Sequence, residues 1–266
     1  MQAALETRGQ PGGRTAPHHR VFQAVGGPLG VESVLLSVVI PCRNEAGSVS
    51  LFAEKLLPAL DELGLRHEVI VVNDGSEDET ADVLLTLAGE RPGIKSVSHD
   101  RNRGLGAALR TGFAAAEGDW IVALDADMSF HPSQIRALLE RQRETGADLV
   151  AGSPFLTPEG SAEVAWRRRL PSALINALYR VLCGRQLTAY TPIFRLYRAA
   201  ALRKLRLRSE GFEINAEIAA RFLAAGMSVA EVPARLGRRR QGASKLNAPR
   251  ELWRHAVLMA RILLKR

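Results

Sequence analysis

Three short apolar runs, each stopped by a polar cluster, constrain this chain more than any other feature. LLSVVIPC (Leu35–Cys42) leads into Arg43-Asn44-Glu45, HEVIVVNDGS (His67–Ser76) ends in an Asn73-Asp74-Gly75 turn, and Trp120–Leu124 runs into Asp125-Ala126-Asp127. Short β-branched runs of this kind suit strands buried on both faces of a parallel sheet. Further strands are predicted at Ile94–His99, Asp148–Ser153 and Ser228–Pro233. Between them, helical periodicity covers Glu45–Leu63, Gly104–Glu117, Ile135–Thr145 and Gly211–Ala225, and Ser76 with its following acids reads as the capped start of another helix. Strands alternating with helices predict an α/β fold of βαβ units around a mostly parallel sheet. In such sheets ligands bind beyond the carboxyl ends of the strands, so the three polar clusters are expected to share one rim.

Asp125 and Asp127 carry the chemistry of that rim. If the extended conformation persists through Ala126, residues i and i+2 point the same way and the two carboxylates repel. A divalent cation with oxygen ligands would offset that repulsion, whereas alone the pair could be a solvated turn. Other residues carry two readings as well. Asp74 could bind a ligand or accept backbone hydrogen bonds in its turn. His131 could be a third ligand or a solvated loop histidine. Gly104-x-Gly106 suits a closely packed helix start better than a phosphate cradle.

Composition narrows the classes. A chain of 266 residues, 46% hydrophobic, suits one large domain, and two cysteines exclude a disulfide framework. The net charge of +8 and pI near 10.2 point to anionic partners. A basic nucleic-acid-binding protein would show that charge, but only 5% of residues are aromatic and no recognition module is evident. From Val164 to Ser209 there is no acidic residue, while arginines accumulate from Trp166-Arg-Arg-Arg onward. The expected organisation is a disordered tail over 1–33, a catalytic domain over 34–246, and a C-terminal amphipathic helix over 247–266 centred on Pro249–Leu264. No apolar run is long enough to span a membrane, and the N-terminus lacks the apolar segment of a signal peptide, so a cytoplasmic protein is expected. Trp253 and the basic residues of the last helix would allow peripheral contact with a membrane face, whereas its Leu252, Val257, Met259, Ile262 and Leu263 could instead dock on the domain.

SVVIPCRNE, VIVVNDGSEDET, NRGLGAALRTGF, ALDADMSFHP, FRLYR, GFEINAEI and RRQGASK stand in an order that resembles family 2 glycosyltransferases of the GT-A fold, in particular the dolichyl-phosphate mannosyltransferase-like branch. The resemblance covers roughly Leu36–Leu246. It implies a Rossmann-like, nucleotide-diphospho-sugar transferase fold and a metal-dependent, inverting transfer of a hexose, mannose or glucose, from a GDP- or UDP-sugar to a polyprenyl phosphate. On the donor side it implies contacts from Pro41, Asn44, Glu45, Asp74, Asp125, Ala126 and Ser244. It places Mg²⁺ or Mn²⁺ on Asp125 and Asp127. Asp127, Arg169, Arg239 and Lys245 would carry catalysis, with Arg239, Ser244 and Lys245 on a loop closing over the phosphates. Arg168, Arg169, Arg195 and Glu217 would meet the acceptor.

Simple chemistry agrees with those expectations. A departing nucleoside diphosphate gains negative charge, which a cation and a Lys/Arg loop stabilise without proton transfer. A polyprenyl phosphate is already an anion and attacks without a general base, whereas a soluble or polysaccharide hydroxyl acceptor, the alternative, would need one. The chain departs from the branch on the acceptor side. Gly152-Ser153-Pro154-Phe155 replaces Gly-Ser-Arg-Tyr, Thr191-Pro192-Ile193-Phe194-Arg195 replaces Thr-Ser-Gly-Phe-Arg, and Ala189 replaces an acid.

Overall fold

The computed structural model describes residues 35–162, 166–237 and 248–264, with the side chains of 161 and 166–170 and that of 248 excepted. Seven strands form one sheet: β1 (Leu35–Cys42), β2 (Arg66–Asn73), β3 (Ile94–Ser98), β4 (Trp120–Ala123), β5 (Leu149–Ser153), β6 (Arg195–Arg198) and β7 (Val229–Pro233). Their order is β3-β2-β1-β4-β6-β5-β7. All neighbours are parallel except β6, which runs antiparallel to both β4 and β5. This is an α/β fold with a mixed, mostly parallel sheet. The expected tail over 1–33 lies outside the described residues.

Alternation along the strands divides the core. Leu36, Val38 and Ile40 of β1, with Val69, Val71 and Val122, face one buried layer, while Val39, Ile70, Val72, Ile121 and Ala123 face the other. The first layer packs against α1 (Ala46–Val49), α2 (Leu57–Asp61), α3 (Thr80–Glu90) and α5 (Ile135–Thr145) through Val49, Leu60, Leu84 and Leu138. The second packs against α4 (Leu105–Ala115), α6 (Trp166–Cys183), α7 (Ala199–Leu202), α8 (Ile214–Ala224) and α9 (Ala248–Leu263) through Leu109, Tyr179, Leu202, Phe222 and Leu258.

Two local expectations give way. Glu45–Leu63 is not one helix: a π-helical turn over Phe52–Leu56 separates α1 from α2. Pro58, in the first turn of α2, has no N–H to extend an α-helical ladder through this point. Ser76 does not cap a helix either. Its hydroxyl accepts the Asn44 N–H at 2.9 Å, and α3 begins only at Thr80, whose N–H and hydroxyl both donate to Asp78 Oδ1.

Candidate active site

The carboxyl ends of β1, β2 and β4 open on a cleft of about 720 Å³. In a parallel pair the register fixes their relative height: Cys42 lies beside Asn73, and Val39 beside Ala123. The residues that follow therefore reach one rim. Pro41, Cys42, Arg43 and Glu45 line it from β1, Asp74 from β2, and Asp125, Ala126 and Asp127 from β4.

The aspartate pair is not presented as the sequence suggests. The chain leaves the extended conformation after Ala123, and the Met128 N–H donates to the Asp125 carbonyl at 3.0 Å, closing a turn across Ala126 and Asp127. Met128 takes φ of 51°, and Asp127 Oδ1 accepts both the Ser129 N–H (2.9 Å) and the Ser129 hydroxyl (2.6 Å). Both aspartates still line the cleft, but a turn rather than strand alternation puts them there. His131 does not join them: it is exposed, and its Nδ1 accepts from the Ser133 N–H at the start of a short 3₁₀ helix. Among the described residues no group of three or more His, Cys, Asp or Glu converges as a metal cage. Two carboxylates on an open rim fit Mg²⁺ or Mn²⁺, which commonly takes one or two carboxylates and completes its shell with phosphate oxygens and water.

Asp74 is heavily used by the protein itself. Its Oδ1 accepts from the Arg103 N–H and pairs with His99 Nδ1, each at 2.8 Å, and its Oδ2 accepts the Gly104 N–H at 2.8 Å. A carboxylate offers about four lone-pair sites, so one remains for a ligand. His99, buried behind it, also contacts the Thr111 hydroxyl through Nε2 at 2.9 Å, so Asp74 and His99 together fix the loop that starts α4. Asn44 is drawn away from the cleft: its Oδ1 accepts the Glu77 N–H at 2.7 Å, and with the Ser76 contact it ties the β1 loop to the β2 loop. The expected donor contact of Asn44 is thereby corrected to a bridge between loops, because a side chain committed to a neighbouring loop does not line the cavity.

The rest of the lining comes from residues that sequence reasoning missed. Arg101 and Arg103 line the cleft from the segment entering α4, Arg110 from α4 itself, Glu210, Gly211 and Phe212 from the loop before α8, and Arg250, Glu251 and Arg254 from α9. Arg101 and Arg103 flank Asn102 in the recognised NRGLG segment, which was the available signal. Nothing local marks the α9 residues as cleft-lining. The 209–210 loop presses on the start of α4. A Cβ on Gly104, whose φ is 93°, would meet the Glu210 carbonyl at 2.4 Å, and one on Gly106 would meet the Ser209 carbonyl at 2.2 Å. Only glycine lets these backbones meet, so Gly104-x-Gly106 is a site of close packing.

Glu217 and Arg195, both expected at the acceptor, lie elsewhere. Glu217 is buried on α8, where Oε2 accepts the Arg208 and Ser209 N–H groups at 2.9 and 2.7 Å and Oε1 pairs with Arg221. Burial alone would raise its pKa, but the Ser209 and Arg208 N–H groups and the Arg221 guanidinium outweigh burial and hold the carboxyl below 4.5. Glu217 thus positions the 208–210 loop rather than touching the cleft. Its contribution to stability is present above the ordinary glutamate pKa and is lost as pH falls through the depressed folded value. Glu217→Gln is expected to lose about 2 kcal/mol at pH 7, with the deficit shrinking towards pH 3; urea midpoints measured at both pH values test this. Arg195 is fully buried, and its guanidinium donates to the carbonyls of Asn215, Ala189 and Tyr190. It holds the core together and does not reach the cleft. The backbone where the branch's acid is missing is held instead by Glu231 of β7, which accepts the Thr188 and Ala189 N–H groups at 2.7 and 2.9 Å. Arg168 and Arg169 fall in α6, but their side chains lie outside the described residues, as do Arg239, Ser244 and Lys245 entirely.

Comparison with known proteins decides the family, because a family model described as glycosyl transferase family 2 matches residues 37–206. The chain belongs to glycosyl transferase family 2. Among its family 2 relatives, an undecaprenyl-phosphate 4-deoxy-4-formamido-L-arabinose transferase of Edwardsiella ictaluri is 33% identical over 79% of this chain and 62% of that protein. The namesake protein of Serratia proteamaculans is 34% identical over 61% of this chain and 48% of its own length. The chain therefore spans about half to three-fifths of these relatives. The sugar in their names is a formamido-arabinose, so a hexose is not what these relatives indicate. Glucosyl-3-phosphoglycerate synthase of Mycobacterium tuberculosis, solved with Mn²⁺, UDP and phosphoglyceric acid, shares the fold at a TM-score of 0.62 and 23% identity, over 88% of this chain and 78% of that one. Another structure of that synthase, with Mn²⁺, UDP and glucosyl-3-phosphoglycerate, gives a TM-score of 0.63 and 24% identity, over 93% of this chain and 85% of that one. These resemblances establish a GT-A-like fold. The nucleic-acid reading is set aside by family membership.

Proposed function

We propose that this family 2 glycosyltransferase moves a sugar from a nucleotide diphosphate to a polyprenyl phosphate, undecaprenyl phosphate being the acceptor named for its relatives. The observation that carries the reading is that the Asp125/Asp127 turn and a set of arginines line one cleft. A cation is needed where the diphosphate departs, and cations are needed again where an anionic acceptor approaches it. Mg²⁺ or Mn²⁺ held by Asp125 and Asp127 would supply charge neutralisation on the leaving diphosphate. Pro41 and Glu45, beside Asp74, would bound the nucleoside, and Ala126 would lie against the donor. Arg239, Ser244 and Lys245 would close over the phosphates, and Arg168 or Arg169 would approach the acceptor phosphate. A cation facing the acceptor also reduces its repulsion from the diphosphate, so nucleophile and donor can meet without a general base.

The donor nucleotide is GDP or UDP, and the sugar is either a hexose, as the resemblance implies, or a pentose derivative like that of the named relatives. Among the described residues no helix is long and apolar enough to cross a membrane. In this reading the lipid acceptor is met at the cytoplasmic face of the bilayer. A hydroxyl acceptor is the second reading, favoured by the burial of Arg195, which removes one expected cation from the acceptor side. Incubation with labelled GDP-mannose, UDP-glucose and UDP-4-deoxy-4-formamido-L-arabinose, Mn²⁺ and undecaprenyl phosphate tests the proposal. Label passing into organic solvent supports it. Label that stays aqueous on a sugar or polysaccharide acceptor supports the second reading, and the absence of transfer overturns both.

A further inference from the structure

The helix α9 lies outside the family match, yet it supplies Arg250, Glu251 and Arg254 to the cleft. The same helix also carries Leu252 and Trp253, 61% and 70% exposed. On a helix, residues three and four apart are neighbours, so Arg250 stands next to both Trp253 and Arg254. The helix is fixed rather than loosely attached. Glu251 accepts the Phe212 N–H with one oxygen (3.1 Å) and Arg254 with the other (3.0 Å), and His255 meets the buried Tyr179 hydroxyl of α6 at 2.9 Å. Phe212, held by this contact, is itself 42% exposed and lines the cleft. One edge of the cleft therefore presents cations and large apolar side chains within a single helical turn.

That juxtaposition matches one ligand chemistry. A polyprenyl phosphate carries its anion directly on an apolar chain, so its site needs a cation and an apolar surface a few ångströms apart. A soluble phosphate has no use for the second. Among the described residues, Arg250 and Arg254 are the cleft arginines whose own helix also bears large exposed apolar side chains. We propose that Arg250 and Arg254 bind the phosphate of a membrane-embedded polyprenyl phosphate, with Trp253 resting in the lipid surface beside it. This rests on the polyprenyl-phosphate reading above and extends it with an acceptor site on α9. Arg254 contributes while still bonded to Glu251, since a guanidinium has five N–H donors and that contact takes one. Trp253 suits the headgroup level, where aromatic side chains favour the boundary between lipid and water.

The test compares the wild type with Arg250→Gln, Arg250→Gln/Arg254→Gln, Arg254→Lys and Trp253→Ser, all in the full chain, with folding checked by circular dichroism. Two acceptors are used: undecaprenyl phosphate in phosphatidylcholine vesicles and a water-soluble two-isoprene phosphate. The double variant is expected to raise KM for both acceptors by about tenfold or more, the loss of roughly one charge-assisted contact, while titrated donor affinity in Mn²⁺ changes less than about twofold. Arg250→Gln, which keeps both partners of the Glu251–Arg254 pair, should reproduce part of the effect, and Arg254→Lys should restore part of it. Trp253→Ser should raise KM for the vesicle acceptor alone. An unchanged acceptor KM in the double variant, or an equal fall in donor affinity, overturns the assignment while leaving polyprenyl transfer intact. A wild type that yields no solvent-extractable product overturns the polyprenyl-phosphate reading and the assignment with it.

Discussion

Asp127→Asn is expected to lower kcat/KM by about 10²- to 10⁴-fold, equivalent to roughly 3–5 kcal/mol of lost transition-state stabilisation, with little change in thermal midpoint. The choice of asparagine matters. Asp127 Oδ1 accepts the N–H and hydroxyl of Ser129, and an amide oxygen can keep accepting both, so the turn survives while the charge is removed. Donor titration separates the possible causes. If Asp127 holds the metal, the wild type binds a nucleotide diphosphate more tightly with Mn²⁺ than without it, and the variant loses that difference. A variant that retains both activity and the Mn²⁺ effect would show that the metal reading of this pair is mistaken.

The largest stability effect is expected at Arg195. Replacing it with methionine, of similar length, strands the carbonyls of Ala189, Tyr190 and Asn215 in a fully buried position. Each unsatisfied buried carbonyl costs about 1–3 kcal/mol before relaxation, so a net loss of about 3–5 kcal/mol is expected. In a chain of this size that corresponds to roughly 10 °C in thermal midpoint, measurable by calorimetry. Kinetics then distinguish the two roles assigned to this residue. Below the new midpoint, acceptor KM should match the wild type, because Arg195 is in the core; a selective rise in acceptor KM would return it to the acceptor site.

How much of this was legible in the sequence depends on the distance over which each feature is determined. β1 (Leu35–Cys42) and α5 (Ile135–Thr145) coincide with the sequence reading residue for residue, because apolar period and flanking breakers fix them locally. The shared rim was also legible, since parallel strands place their carboxyl ends together. The turn at Asp125–Asp127 was not. It depends on a single carbonyl-to-Met128 hydrogen bond that an extended reading cannot foresee. β6 was missed because Arg195–Arg198 is four residues long with arginine at both ends, and its strand character comes from partners far upstream. Arg195 and Glu217 were misplaced for a related reason. Charged residues in recognised motifs suggest ligand contacts, whereas here their burial is balanced by backbone groups of distant segments. The cleft residues of α9 were invisible because docking depends on Phe212 and Tyr179, each more than thirty residues away in sequence.

The single antiparallel strand also dictates an order of assembly. β1 to β4 are joined by crossovers within one continuous stretch, and β2, β3 and β4 each pair with a strand already synthesised. β5 has no such neighbour. It reaches the sheet only through β6, and β7 only through β5, so both wait on the four residues Arg195–Arg198. Contacts between segments so far apart close late, after the loop-closure entropy has been met. Until they do, β4 presents an open edge, the kind of surface on which incomplete chains associate. The aspartate turn leaves from that same strand. The Asp125–Asp127 turn therefore stands at the seam between strands that pair in the order of their synthesis and strands that join only through β6.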